Sequence, residues 1–228
     1  MLGQISIVIP ALHEREGIER TISAIPRAEL QKMGYDVQVL VVNGDDKDGT
    51  GELARRAGAE VIDEPRRGYG QAFKTGFARA RGDIIATADA DATYPVEDIP
   101  GLVQILENED LDFITTNRFA FLDDDAMSRR NRVGNAVLTL TMMALFRLKI
   151  KDCQSGMWVF RKNILGRLKL RSNTPLSQEI KIEACHYAGC RWKEVPIKYK
   201  SRLGRAKCGG WKVGFTNFCD LIRKRVVR

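Results

Sequence analysis

Residues 84–95 read Ile-Ile-Ala-Thr-Ala-Asp-Ala-Asp-Ala-Thr-Tyr-Pro, an apolar run that ends in two aspartates. The run predicts a buried strand, and Asp89 and Asp91 follow at its carboxyl end. In an extended segment, residues i and i+2 point the same way, so both carboxylates can converge on one hard cation beside the small Ala90. Such a cation takes phosphate oxygens as further ligands, which favours a nucleoside diphosphate as the guest. The structural alternative is a strand end capped by turn-forming aspartates.

Strands and helices alternate through the first half of the chain. The hydrophobic pattern predicts strands over residues 4–10, 37–42, 59–62 and 83–88, with helices over residues 14–25, 51–57 and 72–80. This alternation predicts an α/β domain built on a parallel sheet, in which ligands bind beyond the carboxyl ends of the strands. Pro10, Asn43 and Asp89 all lie at such ends.

The second half of the chain has a less regular pattern. It predicts helices over residues 95–107, 133–146 and 177–187, strands over residues 112–116, 157–160 and 192–197, and a polar loop over residues 118–132. No internal repeat, low-complexity tract or linker divides the sequence. We therefore expect one domain over residues 1–228.

The net charge of +8 conceals an uneven distribution along the chain. Residues 1–125 carry 13 Lys and Arg against 24 Asp and Glu, a net charge of −11, whereas residues 126–228 carry 24 against 5, a net charge of +19. A basic half binds polyanions, so nucleic acid, an anionic membrane and a phosphorylated small substrate are all candidate partners. A solvated basic face is the structural alternative.

Composition sets the cellular context that we expect. With 44% hydrophobic and 29% charged residues, the chain has an ordinary globular composition. No segment approaches the roughly 18–20 uninterrupted apolar residues of a membrane span, and residues 1–10 lack signal-peptide features, so we expect a cytoplasmic protein. Five cysteines without a C-x-x-C pair indicate reduced thiols that pack in the core, not disulfides or a zinc site.

Seven short motifs follow one another along the chain. They are Ile-Val-Ile-Pro-Ala-Leu-His-Glu (7–14), Val-Val-Asn-Gly-Asp-Asp-Lys-Asp-Gly-Thr (41–50), Arg-Gly-Tyr-Gly-Gln-Ala (67–72), Ala-Arg-Gly-Asp (80–83), Asp-Ala-Asp (89–91) before Pro95, Asp-Cys-Gln-Ser-Gly (152–156), and Glu-Val-Pro-Ile (194–197) with Arg202, Gly204 and Lys207. In this order and spacing the chain resembles the family 2 glycosyltransferases over nearly its entire length. The resemblance is to the dolichyl-phosphate mannose synthase-like branch of that family.

The resemblance implies a GT-A fold, which is a Rossmann-like, mostly parallel central sheet flanked by helices, here with peripheral interfacial helices. It also implies inverting transfer of a hexose from a nucleotide sugar to a dolichyl or polyprenyl phosphate, with Mg²⁺ or Mn²⁺ held by Asp89 and Asp91. Asn43-Gly44 replaces an aspartate pair and Leu12 replaces a tyrosine beside the base. Donors of the GDP-mannose and UDP-glucose types both remain open. Two further departures lie near the metal and the acceptor phosphate, namely Thr93 and Ala206.

The same resemblance implies which residues bind each substrate. The donor is expected to contact Pro10, Ala11, Glu14, Asn43, Asp45, Gly70, Ala90 and Asp91. The acceptor phosphate is expected to contact Arg118, Arg132, Arg202 and Lys207, and the catalytic set is Asp89, Asp91, Arg118, Arg132 and Arg202. Arg129 and Arg130 are nearby alternatives for the phosphate, and the alternative for Glu14 is a carboxylate that complements a helix N-terminus.

A phosphate acceptor simplifies the chemistry that the residues must perform. With a second pKa of about 6, a phosphate monoester is already a nucleophile at neutral pH, so the enzyme needs cations to bring two anions together and no general base. Transfer to a glycan hydroxyl, the main alternative, would require a general base. A basic nucleic-acid-binding module is the second alternative, but aromatic residues do not interleave with the basic ones as a stacking surface requires. We therefore expect no nucleic-acid partner.

Two segments combine apolar residues with flanking cations, the pattern of an interfacial helix. They are residues 133–146, beside Arg129, Arg130 and Arg132, and residues 211–227, which include Arg223 and Arg225. Because a long prenyl phosphate is confined to the bilayer, we expect the protein to bind peripherally to the cytoplasmic face of the membrane. The alternative is that both segments are ordinary amphipathic helices packed on the sheet.

Overall fold

The computed structural model describes residues 3–45, 47–123, 125–204 and 211–227. The strands of this part of the chain form one seven-stranded sheet in the order β3-β2-β1-β4-β6-β5-β7. The strands are β1 (Gly3–Ala11), β2 (Tyr35–Asn43), β3 (Glu60–Asp63), β4 (Ile84–Thr87), β5 (Phe113–Leu122), β6 (Trp158–Arg161) and β7 (Trp192–Tyr199).

Helices cover both faces of the sheet. They are α1 (Ile18–Ser23), α2 (Arg27–Lys32), α3 (Thr50–Arg56), α4 (Tyr69–Arg79), α5 (Ile99–Asn108), α6 (Arg129–Phe146), α7 (Leu176–Ile182) and α8 (Trp211–Val226). Short 3₁₀ helices precede α5 at Val96–Asp98 and follow β6 at Lys162–Arg167, and a π-helical turn continues α7 over Glu183–Tyr187.

The first half of the sheet is parallel, as the sequence predicts. Strand β1 pairs with β2 on one side and β4 on the other, and β3 pairs with β2, all in parallel. Strand β6 is antiparallel to both β4 and β5, so the sheet is mixed. Strand direction is not visible in the sequence, because a short strand buried on both faces has the same continuous apolar pattern either way round. The carboxyl ends of β1, β2 and β4 lie at one edge of the sheet.

Alternate side chains of β1 point into two layers of the hydrophobic core, one on each face of the sheet. Ile5, Ile7 and Ile9 are fully buried in the layer that includes residues of α1, α2 and α5. Val8 faces the opposite layer, which includes aromatic residues of α4 and β6. Helix α4 approaches the sheet closely at Gly76, where a Cβ atom would lie 2.3 Å from the Val8 side chain.

The predicted polar loop over residues 118–132 is wrong at both ends. Strand β5 continues to Leu122, and α6 begins at Arg129, one residue after Ser128, whose hydroxyl accepts a hydrogen bond from the Asn131 backbone at its N-terminus. The polar residue Arg118 makes the strand resemble a loop in the sequence, but it is buried in the structure by its ion pair. The predicted helix at residues 14–25 begins only at Ile18, and helix α2 was not predicted.

Candidate active site

The two carboxylates of the Asp-Ala-Asp motif lie in the turn that follows β4. The Tyr69 hydroxyl donates a hydrogen bond of 2.8 Å to Asp89 Oδ1. The Thr93 hydroxyl and backbone amide donate to Asp91 Oδ1 at 2.7 and 3.2 Å. The side chain of Ala90, between them, is buried in the core with 2% of its surface exposed. Each carboxylate is therefore oriented by a neighbour, while the residue between them anchors the turn.

The environment of this pair favours a cation. Burial and the negative charge of Asp91 both raise the pKa of Asp89. Within the described residues, no group of three or more histidine, cysteine or carboxylate side chains is placed to hold a metal ion. A cation here would take two protein carboxylates and fill its remaining positions with water and phosphate, the coordination that Mg²⁺ commonly adopts. Asp89 and Asp91 therefore fit a divalent metal that is shared with a diphosphate.

Arg202 connects the carboxylate pair to the end of β1. Its Nη1 atom lies 3.3 Å from Asp91 Oδ2, and its Nη2 atom forms an ion pair with Glu14. The Glu14 backbone amide in turn donates to the Thr50 hydroxyl at 2.9 Å. Residues from the segments after β1, β4 and β7 are thus brought together. The sequence, by contrast, assigned Arg202 to the acceptor and Glu14 to the donor.

Asn43 ends β2 with an unpaired buried amide. Its side chain is 1% exposed, and neither Nδ2 nor Oδ1 has a hydrogen-bond partner among the residues that the structure describes. A buried polar group without a partner costs about 1–3 kcal/mol, so such groups are usually satisfied. Asn43 lies opposite Ala11 in the sheet, next to buried Pro10, at the same edge as the aspartates. A ligand that offers both a donor and an acceptor would satisfy this amide.

Two predicted donor contacts have other partners in the structure. Asp45 is exposed, and its carboxylate pairs with Lys47 at 2.9 Å. The Gly70 amide donates to the Asn173 carbonyl at 2.7 Å, and a Cβ atom on Gly70 would lie 2.7 Å from the Ser172 carbonyl oxygen. The close packing of α4 on residues 172–173 explains this glycine without a ligand. Contacts of Asp45 and Gly70 with a nucleotide stay predictions.

Arg118 is committed to a buried ion pair. Its Nε and Nη2 atoms bond the two oxygens of Asp152 at 2.7 and 2.9 Å, and its backbone amide donates to Oδ2 at 3.1 Å. Burial acts to raise the pKa of Asp152, but the Arg118 charge and hydrogen bonds outweigh it and hold the pKa at about 2. The guanidinium also lies 5.3 Å from the Tyr199 ring centre.

The remaining predicted acceptor residues lie on α6 or outside the described residues. Arg132 is on the first turn of α6, where its Nε atom donates to the Met127 carbonyl at 3.2 Å. Arg129 and Arg130 are exposed on the same turn. Lys207 lies outside the described residues. The role of Arg132 as a ligand of the acceptor phosphate stays a prediction.

Sequence reasoning missed Tyr69. The Gly-Tyr-Gly motif was interpreted through its glycines, yet its tyrosine makes the direct contact with Asp89. A useful signal was present in the sequence, because a tyrosine between two glycines at a helix N-terminus is a large polar side chain in a closely packed turn. Its partner Asp89 lies 20 residues away, which no local pattern identifies.

The chain matches the family model described as "Glycosyl transferase family 2" over residues 6–169. It is 32% identical to the low-salt glycan biosynthesis hexosyltransferase Agl6 of Haloferax volcanii, over 91% of this chain and 51% of that protein. It is 29% identical to a dolichyl-phosphate hexose transferase of the same organism, over 92% of this chain and 90% of that protein. A Pyrococcus furiosus dolichol-phosphate mannosyltransferase is 29% identical over 73% of this chain and 49% of its own length. The chain thus spans about half of Agl6 and of the Pyrococcus protein.

Solved structures show the same fold. Glucosyl-3-phosphoglycerate synthase from Mycobacterium tuberculosis, in complex with Mn²⁺, UDP and phosphoglyceric acid, aligns with a TM-score of 0.76 at 21% identity and covers 99% of this chain and 79% of that one. Another complex of that synthase contains Mg²⁺ and UDP and aligns with a TM-score of 0.75. These matches confirm the predicted GT-A fold. Together with the family match and the named relatives, they establish that this chain belongs to glycosyl transferase family 2, in the branch that resembles dolichyl-phosphate mannose synthase.

Proposed function

We propose that this chain transfers a hexose from a nucleotide sugar to a dolichyl or polyprenyl phosphate, with inversion at the anomeric carbon and with Mg²⁺ or Mn²⁺. The observation that carries the proposal is the convergence at one sheet edge of two carboxylates, half-buried Asp89 and buried Asp91, and the unpaired buried amide of Asn43. The carboxylates suit the cation that accompanies a diphosphate, and the amide suits a base. The names of the Haloferax and Pyrococcus relatives support the acceptor class.

Asp89 and Asp91 would hold the metal on the donor side. The metal, when bound, supplies positive charge to the diphosphate that departs with the electrons of the broken C1–O bond. Tyr69 and Thr93 keep the two carboxylates oriented, and Glu14, in the loop after β1, would bind the ribose hydroxyls. We keep Pro10, Ala11 and the backbone at Ala90 as the surface against which the donor lies.

Asn43 is the residue that we assign to the base. A primary amide both donates and accepts, so it can pair with the N3–H and O4 groups of uracil or with the N1–H and O6 groups of guanine. Both the UDP-glucose and the GDP-mannose type of donor therefore fit this residue. An ionised aspartate at this position could accept hydrogen bonds but could not donate one.

The acceptor phosphate would attack the anomeric carbon directly. A bond forms from a phosphate oxygen to C1 as the bond from C1 to the diphosphate oxygen breaks, and no proton has to be removed first. Arg202, Arg132 and Lys207 would neutralise the repulsion between the two anions. Arg118 stays in the proposed acceptor set, although Asp152 already occupies two of its nitrogens.

The outer surface of α6 and α8 would place the site at the membrane. The two helices pack together through Leu138, Met142 and Leu221. They expose Val133, Val137, Leu140, Phe215, Phe218, Ile222 and Val226. Exposed Arg129, Arg130, Arg223 and Arg225 accompany them, and each basic residue near anionic lipid is worth about 1 kcal/mol. No helix of the described residues is long and apolar enough to cross a membrane.

An assay with defined substrates tests the proposal. The purified protein is incubated with UDP-glucose or GDP-mannose and Mg²⁺, with and without a prenyl phosphate, and the hexose is followed into lipid, water and nucleotide fractions. We expect transfer to the lipid with one of the two donors. Release of hexose into water at the same rate with and without prenyl phosphate, with none in the lipid fraction, would contradict the proposed acceptor. No consumption of either donor would contradict the proposed enzyme.

A further inference from the structure

A tyrosine hydroxyl lies directly behind one of the two aspartates. Tyr69 is the first residue of α4, and its ring packs edge-on against Phe73 with 4.8 Å between the ring centres. Its hydroxyl donates to Asp89 Oδ1 at 2.8 Å. The ring contact fixes the direction of the side chain, so the hydroxyl is held at the carboxylate by packing as well as by the hydrogen bond.

Gly156 determines where that hydroxyl can be. A Cβ atom at this position would lie 2.3 Å from Tyr69 Oη, but 3.6 Å from Tyr69 Cζ. The glycine itself cannot move away easily, because its amide donates to Tyr94 Oη at 2.7 Å and its carbonyl accepts from the Thr87 hydroxyl at 2.8 Å. Gly156 thus lacks a side chain where the Tyr69 hydroxyl needs the space. The Gly-Tyr-Gly motif and the Asp-Cys-Gln-Ser-Gly motif meet at this one atom.

We propose that Tyr69 is a positioning residue for Asp89 as a metal ligand, and that Gly156 reserves the space that Tyr69 requires. The inference rests on the proposed metal role of Asp89. A hydrogen bond to one carboxylate oxygen fixes the rotamer and leaves the other oxygen for the cation. Partners of this kind typically contribute about 10–100-fold to metal affinity. In this scheme Tyr69 acts on the metal only through its hydrogen bond to Asp89.

The first test measures binding of Mn²⁺ alone to the purified protein, from the loss of the free-ion EPR signal. Tyr69→Phe keeps the ring contact with Phe73 and removes only the hydroxyl, and we expect it to raise the dissociation constant about 10–100-fold. Tyr35→Phe is the matched control. Tyr35, at the start of β2 and away from the site, also donates its hydroxyl to a carboxylate, that of Glu107. This control should leave Mn²⁺ binding unchanged.

The second test uses the contact between the two motifs. Gly156→Ala should weaken Mn²⁺ binding and lower the melting temperature, because its Cβ atom displaces the Tyr69 hydroxyl. In a Tyr69→Phe background the same substitution should add little to either effect, since the nearest remaining side-chain atoms are 3.6 Å away. Additive effects of the two substitutions would contradict the proposed contact.

These measurements separate the inference from the proposed function. If the wild-type protein binds no Mn²⁺, or if Asp91→Asn binds it equally well, the metal site itself is wrong. If the wild-type protein binds Mn²⁺ through Asp91 and Tyr69→Phe binds it with the same affinity, only the positioning role is wrong. Loss of Mn²⁺ binding in Tyr69→Phe with an unchanged unfolding profile supports the positioning role. The loss of a merely structural residue would change the unfolding profile as well as the Mn²⁺ affinity.

Discussion

At the scale of single residues, we expect the unpaired amide of Asn43 to lower the stability of the protein but to strengthen nucleotide binding. Its buried amide has no partner in the protein, so Asn43→Ala should leave the melting temperature unchanged or higher while it weakens UDP or GDP binding at least about tenfold. Isothermal titration with each nucleotide and a thermal scan measure both effects. Gln38→Ala, on the same strand, is the matched control, because that amide is paired with Ser6, Glu60 and the Arg81 backbone. The control should lower stability and leave nucleotide binding intact, and the reverse pattern would contradict the base site.

The Arg118–Asp152 ion pair should contribute to the free energy of unfolding. Asp152→Ala leaves a buried guanidinium unpaired, which should lower the free energy of unfolding by about 3–5 kcal/mol in urea titrations. Asp123→Ala, which removes an exposed pair with Lys198, should cost less than about 1 kcal/mol. Because the pKa of Asp152 is lowered from 3.8 to about 2, the contribution is complete above about pH 4 and is lost as the pH falls through 2. An equal, small loss for both variants would show that the buried pair is not required.

Substitutions of Arg202 test whether this residue binds the donor diphosphate or the acceptor phosphate. If it serves the acceptor phosphate, Arg202→Ala should raise the KM for prenyl phosphate far more than it weakens nucleotide binding. Arg202→Lys should restore only part of the activity, because a point charge cannot replace a bidentate contact. Arg202 also contacts Asp91 and Glu14, which are both assigned to the donor, so a role on the donor side is the alternative. Equal losses for both substrates would assign Arg202 to the donor diphosphate.

Sequence spacing predicts which side chains lie together when the residues are close in the chain. Asp89 and Asp91 are two residues apart, and their shared location follows from local geometry. Arg118 was expected to face a phosphate, yet it bonds Asp152, 34 residues later. Hydropathy and spacing do not identify which acid an arginine meets, because that pairing depends on the antiparallel arrangement of β5 and β6.

At the scale of elements, α6 and α8 carry the membrane prediction. The protein should sediment with vesicles of phosphatidylserine and phosphatidylcholine at low salt, and less of it should do so as salt rises. Phe215→Ser combined with Ile222→Ser should reduce this binding, whereas Phe121→Ser, at a phenylalanine that is equally exposed outside the two helices, should not. If the wild-type protein stays in the supernatant at low salt, a soluble acceptor becomes the better interpretation.

Substitution is a sharper test of α8 than deletion. Leu221 is fully buried, and Lys224 pairs with Glu179 and Glu183 of the preceding helical segment at 2.9 and 2.7 Å. Removing the helix would leave two buried carboxylates without their cation, so lost binding and lost stability would be confused. The sequence predicted α8 from its apolar residues but did not reveal this attachment, because the pairing joins residues about 40 positions apart.

At the scale of the whole molecule, the parallel half of the sheet was predictable and the mixed half was not. Strands β1, β2 and β4 contain mostly apolar runs, and their parallel pairing brings their carboxyl ends, where the candidate site lies, to the same edge. Strand β6 enters between β4 and β5 in the antiparallel direction, a choice that depends on the path of residues 147–157. The location of Asn43 and of the Asp-Ala-Asp motif after strand ends therefore follows from the sequence, whereas the location of the basic segment depends on how it folds back.

Metal-dependent transfer by an Asp91→Asn variant tests the central claim most directly. Transfer of labelled hexose to a prenyl phosphate is measured for the wild-type protein, Asp91→Asn and the exposed control Asp36→Asn, with Mg²⁺ or Mn²⁺ and with EDTA. We predict transfer by the wild-type protein and the control only when metal is present, and none by Asp91→Asn although its circular dichroism is unchanged. Full transfer by Asp91→Asn, or transfer by the wild-type protein in EDTA, would contradict the account.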